Sequence, residues 1–310
     1  MPFLKLVKSG TDIKFTKQRI AAFFISAILV IASVAQLSIS GLNFGIDFTG
    51  GTLVEVQTKG PADIADLRSR FSTLDLGTVS IQEFGEANEV LIRIPQQENA
   101  EEQSQTELLE IIKGAIDDSV AEYRRVEFVG PQVGKELIVT GAKAVFFSLL
   151  GILMYIWIRF EWQFGLAAVC ALIHDTVLTM GFFAFSQVEF NLSTVAAVLM
   201  IAGYSINDTV VVFDRVRENL RKYKRKLLAD VFDLSINQML ARTLMTSVTT
   251  LLALVALWYF GGEVIRGFIT TLVIGVVIGT YSSVYIATPL LLYIKPETLR
   301  PDMEGVPQGA

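Results

Sequence analysis

The sequence places a carboxylate, Asp208, before the end of a long apolar run, and this pattern most needs a chemical explanation. If a membrane span begins after Asn191, Asp208 lies about 25 Å along it at the rise of an α-helix, still inside the apolar layer. A charged side chain at the middle of a span costs at least about 2.5–3.5 kcal/mol to insert, and less near the edge. Such a group usually faces a partner or a water-filled path, so the pattern predicts a functional carboxylate.

A cation at a comparable depth is available in the next apolar run, which begins near Arg242. A helix that returns from the same side would bring this guanidinium to Asp208. Two interpretations stay open. The two residues could form a static ion pair that locks two helices together, or they could form a proton relay in which Asp208 gains and loses a proton.

Polar side chains also occupy the other apolar runs. His174 and Asp175 lie about midway along the third run. A hydrogen-bonded packing role and a proton-carrying role both fit His174, whereas Asp175 lies deeper and is harder to explain by packing alone. Further side chains that could bond helices to one another or order water on a proton path are Asn207, Thr209, Thr246 and Ser247.

The composition is typical of an integral membrane protein, because 52% of the 310 residues are apolar and only 18% are charged. Crossing a bilayer takes about 20 mostly apolar residues. The stretches that meet this length are 20–40, 139–158, 163–185, 192–213, 242–261 and 267–292. The sequence therefore predicts six transmembrane helices, one before the polar segment 41–138 and the other five within 139–292.

The distribution of basic residues predicts the orientation, because Lys and Arg remain on the cytoplasmic side of a membrane. The N-terminus 1–19, the basic and amphipathic segment 214–241 and the tail 293–310 are therefore expected in the cytoplasm. The segment 41–138 is expected on the outer side. It holds eight Lys or Arg against eighteen Asp or Glu, which argues against nucleic acid as a partner.

The outer segment is expected to form a small α+β domain. Its apolar residues alternate where strands are expected and recur at helical spacing between them. The predicted elements are strands at 53–58, 79–82, 90–94 and 125–129, a helix through Ile64, Leu67 and Phe71, and a helix over 104–124. This βαββαβ order is the split βαβ, ferredoxin-like arrangement, in which two helices cover one face of an antiparallel sheet.

A glycine-rich loop, residues 45–51, precedes this domain. Such a loop can cradle phosphate when a helix N-terminus follows it, but here a strand follows and no Lys-Ser or Lys-Thr pair is present. The favoured interpretation is that the glycines allow sharp turns where the first span enters the sheet. That interpretation leaves Asp47 and Phe48 unexplained.

The chain resembles the SecD/SecF family of protein-export membrane proteins, and in particular the smaller of the two subunits of that family. The motifs that carry the resemblance are Phe44 to Gly51, Val129 to Gly134, His174-Asp175, Ile201 to Arg215, Arg242 to Ser247 and Gly279 to Ser283. They occur in this order with a matching topology over nearly the whole chain, so together they are much more specific than any one of them.

The resemblance implies the resistance-nodulation-division type of membrane fold in the bacterial inner membrane, with the domain 41–138 in the periplasm. It implies SecD as the partner that supplies the other half of the fold, together with SecYEG, YajC, the translocating preprotein and membrane lipid. It further implies that the proton-motive force promotes late steps of protein export, with Asp208 and Arg242 as the proton relay. No cofactor, metal or catalytic residue is expected.

The motif of the glycine-rich loop is interpreted as support for the periplasmic domain, through Gly45, Asp47, Phe48, Gly50 and Gly51. An alternative function from another class is a stand-alone exporter of small molecules or lipids, which would need a homodimer to reach twelve spans. An intramembrane hydrolase is disfavoured because the sequence contains no Gly-x-Ser-x-Gly or His-Glu-x-x-His signature.

Overall fold

A computed structural model of the chain describes residues 11–74, 76–77, 79–95 and 105–294. The first ten residues and most of the predicted tail, from 295 onward, lie outside the described residues. The described chain divides into two compact units. The larger unit holds the residues up to Asn43, Val145–Val188 and those from Ser193 onward, and the smaller holds Phe44–Ala144 and Glu189–Leu192.

The elements follow the predicted order of one long helix, a small α+β domain and several more long helices. The helices are α1 (Arg19–Ser40), α2 (Ile46–Thr49), α3 (Ile64–Ser72), α4 (Gln105–Ile116), α5 (Pro131–Arg159), α6 (Trp162–Ser186), α7 (Leu192–Lys222), α8 (Leu228–Phe260), α9 (Glu263–Ser282) and α10 (Thr288–Ile294). The strands are β1 (Gly51–Thr58), β2 (Ser80–Phe84), β3 (Glu86–Ile94) and β4 (Val120–Val129). A π-helical turn, Ser283–Ala287, joins α9 to α10.

Six helical segments in the described part of the chain are long and apolar enough to cross a membrane. They are Phe15–Ser40, Val133–Arg159, Trp162–Ser186, Leu192–Lys222, Leu228–Phe260 and Ile265–Ile294. Each overlaps one predicted span, so the prediction of six membrane helices is confirmed.

The basic and amphipathic segment 214–241 consists of the ends of two long helices and the turn between them. Helix α7 continues to Lys222, and α8 starts at Leu228 and runs without a break through the fifth span. The apolar residues of this segment are buried within the protein itself: Val216, Leu220, Val231, Phe232 and Ile236 belong to the core of the larger unit. The amphipathic pattern therefore reflects packing between the ends of two long helices.

The interior of the larger unit lies along α6, α7 and the α9–α10 segment, whose apolar windows are roughly half buried. Aromatic side chains fill one end of it, where the rings of Phe164 and Phe213 meet edge to face with centroids 5.2 Å apart. By contrast, no residue in the apolar window of α5 is buried within this chain. Helices α6, α7 and α9 are therefore the elements in which a buried polar site can form.

The smaller unit contains a four-stranded antiparallel sheet with the strand order β2-β3-β1-β4, which confirms the predicted split βαβ arrangement. Val54 and Val56 of β1 point to the face that α3 and α4 cover. The residues that pack with them include Leu67, Phe71, Ile112 and Ile116. Alternation along β1 places Leu53 in a second, smaller apolar cluster with Leu91 and Ile46.

The second helix of this unit is shorter than predicted, because α4 ends at Ile116 and β4 already starts at Val120. The backbone N–H of Ser119 donates to the carbonyl of Ile116, and its hydroxyl donates to the same oxygen, which closes the helix. Val120 then pairs with Thr58, the last residue of β1. Sheet pairing thus overrides the helical spacing that Val120 continues in the sequence.

Candidate functional site

The most extensive buried hydrogen-bond network in the described residues centres on Asp175 of α6. Its Oδ2 atom accepts hydrogen bonds from Ser205 of α7, at 2.5 Å, and from Ser282 of α9, at 2.7 Å. Its Oδ1 atom lies 2.9 Å from Nδ1 of His174. Because Asp175 is only 1% exposed, one carboxylate joins three helices in an environment where hydrogen bonds are strong.

His174 extends this network toward α1. Its Nε2 atom is buried and has no hydrogen-bond partner among the described residues. The imidazole lies beside the ring of Tyr281, with centroids 6.2 Å apart. The Tyr281 hydroxyl is 3.1 Å from that of Ser26 and donates to the carbonyl of Ala22. The described structure therefore includes one unsatisfied ring nitrogen in an otherwise bonded cluster.

Glycine residues bring the helices of this network close together. A Cβ atom on Gly279 of α9 would lie 2.9 Å from the Cβ of Ser205, closer than real side chains approach. One turn earlier, a Cβ on Gly275 would overlap Ile201 of α7. Small residues at these positions allow the close contact of α7 and α9 that the hydrogen bonds of Asp175 require.

Asp208 lies on α7, less than one turn after Ser205, but its surroundings differ from those of Asp175. Its side chain is 4% exposed, and its Oδ2 atom is buried with no hydrogen-bond partner in the described structure. The neighbouring Thr209 hydroxyl lies 3.0 Å from that of Ser283, the first residue of the π-helical turn. Single π-helical turns inside longer helices are frequent at functional sites.

Arg242 of α8 is exposed in this chain. It is near enough to act electrostatically on Asp208, but no ion pair joins the two side chains within the described part of the structure. The structure thus places the predicted relay residues on neighbouring spans, α7 and α8, without a direct contact between them. Their proposed joint role is taken up below.

The remaining predicted polar residues have different positions. Ser247 of α8 is buried, lies 2.7 Å from the hydroxyl of Thr280 and accepts a hydrogen bond from Tyr204. Thr246 donates to a carbonyl of its own helix, and Asn207 is exposed. Only Ser247 among these three therefore contributes to bonding between helices.

Sequence reasoning missed several partners in this site. Ser282 and Ser283 are fully buried and bond to α6 and α7, although the sequence only marked them as part of a family motif. Two adjacent serines inside an apolar run were the available signal, because each must find a hydrogen-bond partner when it is buried. The partner of a serine depends on helix packing, which the sequence alone does not specify.

In the smaller unit, the glycine-rich loop folds into the short helix α2 and binds the segment 189–192. The backbone N–H of Gly45 donates to the carbonyl of Phe190 at 2.9 Å. Oδ2 of Asp47 accepts a hydrogen bond from the backbone N–H of Leu192 at 2.8 Å. Because Leu192 is the first residue of α7, this carboxylate satisfies one of the free N–H groups at the helix N-terminus.

Aromatic packing and close backbone contacts reinforce this loop. The rings of Phe44, Phe48 and Phe190 contact one another with centroid distances of 5.9 to 6.0 Å. Gly50 follows α2 with φ of 72°, in the region that favours glycine. A Cβ on Gly134 would lie 3.4 Å from the carbonyl oxygen of Phe48. These contacts explain Asp47 and Phe48, which the turn interpretation left unexplained.

Glu189 forms a partly buried ion pair with Arg93 of β3 in the same unit. Burial is the main influence on its carboxyl group and raises its pKa above the ordinary value of 4.5, while Arg93 acts in the opposite direction. No group of three or more His, Cys, Asp or Glu side chains that could hold a metal ion is found in the described ranges.

Comparison with known proteins matches two family models to the chain. Residues 103–297 match the family described as protein export membrane protein SecD/SecF, C-terminal, and residues 37–62 match the SecD/SecF GG motif. The second match contains the glycine-rich loop. The first contains α5 to α10 and every residue of the Asp175 network outside α1.

Curated relatives match over nearly the full length of the chain. The protein translocase subunit SecF of Rickettsia conorii is 44% identical over 93% of this chain and 94% of that protein. The subunit of the same name from Vibrio alginolyticus is 44% identical over 96% of this chain and 95% of that protein. Both relatives therefore match this chain in sequence over more than nine tenths of its length.

Two solved structures are also similar. A crystal structure of SecDF, a translocon-associated membrane protein from Thermus thermophilus, matches 92% of this chain at 32% identity with a TM-score of 0.84. A structure of SecDF in a super-membrane-facing form matches 94% at 30% identity with a TM-score of 0.65. The chain spans 39% of each of those longer chains.

Proposed function

Because the chain belongs to the SecD/SecF family of protein export membrane proteins, we propose that proton exchange at Asp208 drives its part in protein export. Its relatives over 93% or more of its length are protein translocase subunits, so the chain is an accessory subunit of the Sec translocase and a multi-pass protein of the bacterial inner membrane. The proposed role of Asp208 depends on the groups that surround its own carboxylate.

The observation that carries the proposal is the buried and unsatisfied Oδ2 atom of Asp208. An ionised carboxylate in an apolar interior is stable only with hydrogen bonds or a paired cation. Asp208 can meet this requirement in two ways, by binding a proton or by a closer approach of Arg242. Asp208 therefore has two arrangements of similar free energy, one protonated and one paired with Arg242. Binding or release of the proton shifts the population between them.

In the proposed cycle, a proton from one side of the membrane binds the Asp208 carboxylate and releases α7 from the electrostatic attraction of Arg242 on α8. When the proton leaves toward the other side, the restored negative charge draws the guanidinium back. One charge that crosses a potential of 100 mV exchanges about 2.3 kcal/mol. This is enough to bias two arrangements of nearly equal energy.

The Asp175 network has a different part in this proposal. Its hydrogen bonds hold α6, α7 and α9 together around Ser205. Since Asp208 follows on the same helix, the network gives α7 a fixed point near the relay. His174 contacts Asp175 through Nδ1, and its Nε2 has no partner in the described structure, so it is proposed as a neighbour of the proton path rather than its main carrier.

Partners follow from the family and from the length of the matched structures. Since the solved SecDF chains are more than twice as long as this chain, we propose that SecD supplies the other half of the membrane fold. SecYEG, YajC and the translocating preprotein are proposed as further partners. The exposed apolar side chains of α5, such as Phe147 and Ile158, are available to SecD or to lipid.

The orientation is also a proposal. Basic residues before α1, and at the end of α7 and in the turn that follows it, favour cytoplasmic termini. The acidic smaller unit then lies in the periplasm. Asp47 is proposed to support that unit by capping α7 through Leu192. Motion of α7 would then act on the segment to which the glycine-rich loop binds.

The test is export in proteoliposomes that contain this chain with SecD and SecYEG, with and without a proton gradient. Asp208→Asn keeps the side-chain size and removes the charge, so the gradient-dependent part of export should be lost while SecD still co-purifies. The matched control is Asp214→Asn on the same helix. Asp214 is exposed and pairs with Arg159 at the surface, so its loss should leave export unchanged.

Gradient-dependent export at the parental rate with Asp208→Asn would reject the relay. A loss of export with both variants would point to the general charge of α7 and would also reject it. The alternative of a stand-alone exporter is not favoured, because the matching relatives are translocase subunits over nearly the whole chain.

A further inference from the structure

We propose that a basic cleft at the ends of α5 and α7 binds the phosphate headgroup of an anionic phospholipid. The cleft has a volume of about 540 Å³ and opens to the surface of the larger unit. Its lining residues are Arg159, Asp214, Arg217, Glu218, Arg221 and Lys222. The proposal is independent of the proton relay, since none of these residues belongs to it.

The charge of the cleft favours an anion. Its two acidic side chains are already engaged, because Asp214 pairs with Arg159 at 2.8 Å and Glu218 pairs with Arg215 at 2.5 Å. Arg217, Arg221 and Lys222 form no ion pair in the described structure. Three positive charges therefore face the cleft, and no ion-paired carboxylate in the described structure neutralises them. This is the charge distribution that a phosphate requires.

Two of the guanidinium groups are held in place on one aromatic ring. Arg159 and Arg217 lie over Phe160, with distances of 5.0 and 5.9 Å from the guanidinium carbon to the ring centroid. Arg217 also donates a hydrogen bond to the carbonyl of Arg159. Phe160 is buried in the core, so this platform is rigid. An oriented guanidinium loses little conformational entropy when its planar fork binds phosphate oxygens.

The level of the cleft along the helices indicates a lipid as the source of the phosphate. The apolar run of α5 ends at Arg159, and large exposed side chains surround this end: Trp157 is 73% exposed and Ile158 is 82% exposed. Trp162, at the start of α6, is 51% exposed. Exposed tryptophans mark the headgroup level of a membrane. A headgroup in the cleft would thus have its acyl chains beside the exposed face of α5.

General attraction of basic residues to an anionic membrane is the competing explanation, and the chain contains a matched control for it. Lys224, Arg225 and Lys226 follow directly in the turn between α7 and α8, are exposed, and do not line the cleft. General attraction depends on the number of charges near the surface. Lipid binding in a specific site depends instead on which of these charges are removed.

The experiment compares two triple variants of the full chain in complex with SecD, reconstituted in nanodiscs of phosphatidylcholine with a minor share of phosphatidylglycerol. Lipid retained after extraction into detergent is counted by native mass spectrometry. Arg217→Gln with Arg221→Gln and Lys222→Gln should reduce retained phosphatidylglycerol at least about fivefold. Lys224→Gln with Arg225→Gln and Lys226→Gln should leave it near the parental amount.

Equal losses in the two triple variants, or no loss in the first, would overturn the proposal. Because Arg217 packs on Phe160, the double variant Arg221→Gln with Lys222→Gln, which changes only exposed side chains, repeats the test if the triple variant does not fold. Inorganic phosphate at matched ionic strength forms the last arm. Retention of this phosphate by the extracted complex, with no phosphatidylglycerol bound even when that lipid is supplied, would identify a free anion as the ligand and overturn the lipid assignment.

Discussion

Two buried carboxylates, on spans that follow one another along the chain, have opposite surroundings. Asp175 of α6 has hydrogen-bond partners on both oxygens, supplied by His174, Ser205 and Ser282. Asp208 of α7 has a buried oxygen with no partner in the described residues, and Arg242, which acts on it electrostatically, makes no ion pair with it there. Burial is almost the same for both, so hydrogen bonding is the difference between them.

This difference separates a structural role from a proton-exchanging one. A carboxylate with a full set of hydrogen bonds holds its neighbours in one arrangement, and any change in its charge would break several bonds at once. A carboxylate with a missing partner can gain a proton or a cation without such a loss. The comparison therefore supports our proposal that Asp175 belongs to the scaffold and Asp208 to the exchange step.

The largest expected effect tests this assignment directly by replacing each carboxylate with leucine. Asp175→Leu leaves the hydroxyls of Ser205 and Ser282 and the imidazole of His174 without their acceptor, and should lower the free energy of unfolding by about 3 kcal/mol. Asp208→Leu removes an unsatisfied buried group and should be neutral or stabilising by up to about 1 kcal/mol.

Unfolding of the full chain in mixed micelles, followed by circular dichroism, measures both free energies. Equal losses in the free energy of unfolding for the two leucine variants would contradict the different roles of Asp175 and Asp208. Export should be lost in both, for different reasons, so stability rather than export is the measurement that separates the roles.

A second prediction concerns the contact that brings Ser205 to Asp175. Gly279→Ala places a methyl group 2.9 Å from the Cβ of Ser205, so α7 and α9 must separate, at a cost of about 1–3 kcal/mol. Gly203→Ala is the matched control on α7, because no atom lies within 4 Å of the new methyl group. Its free energy of unfolding should stay within about 0.5 kcal/mol of the parent.

The sequence was sufficient to predict the six membrane helices and the order of helices and strands in the smaller unit, because apolar length and periodicity depend on local spacing alone. Boundaries failed where a distant partner decided the outcome. Val120 was predicted inside a helix but belongs to β4, because it pairs with Thr58 of β1. The burial of the amphipathic segment 214–241 likewise depends on distant partners, because Val231 and Phe232 pack inside the larger unit.

For the candidate site, residue type and depth in the span identified Asp175 and Asp208 as the buried carboxylates. Which of them would be hydrogen-bonded could not be predicted, because that depends on the rotation of α9 that turns Ser282 toward α6. Similarly, Asp47 was recognisable as part of a motif, but its partner is a backbone N–H of Leu192, 145 residues away.

The contrast between satisfied and unsatisfied carboxylates can be sharpened in the smaller unit with Asp47. Asp47→Ala removes the acceptor for the Leu192 N–H and should cost about 1 kcal/mol, with faster hydrogen exchange at the start of α7. Asp63→Ala is the control, because Asp63 caps α3 through Ala65 and Asp66 in the same unit. It should cost a similar amount but speed exchange in α3 instead. Unchanged exchange at Leu192 in Asp47→Ala would show that this cap is not formed.

The smallest effect is expected for Glu189, which is only partly buried and is paired with Arg93. Its folded-state pKa is raised above 4.5 by burial, while Arg93 opposes the rise and Asp47 and Arg125 act more weakly. Between pH 4.5 and the folded-state pKa, the folded chain binds more protons at this site than the unfolded chain does. The contribution of this group to the free energy of unfolding is therefore greatest below pH 4.5 and falls as the pH rises from 4.5 through the folded-state pKa.

Thermal unfolding of the full chain across this pH range should show the decline in stability in the parent and a flatter profile in Glu189→Gln, which has no charge to bury. A steeper decline in the variant would mean that Arg93 outweighs burial at this site, and that pairing rather than desolvation sets its behaviour.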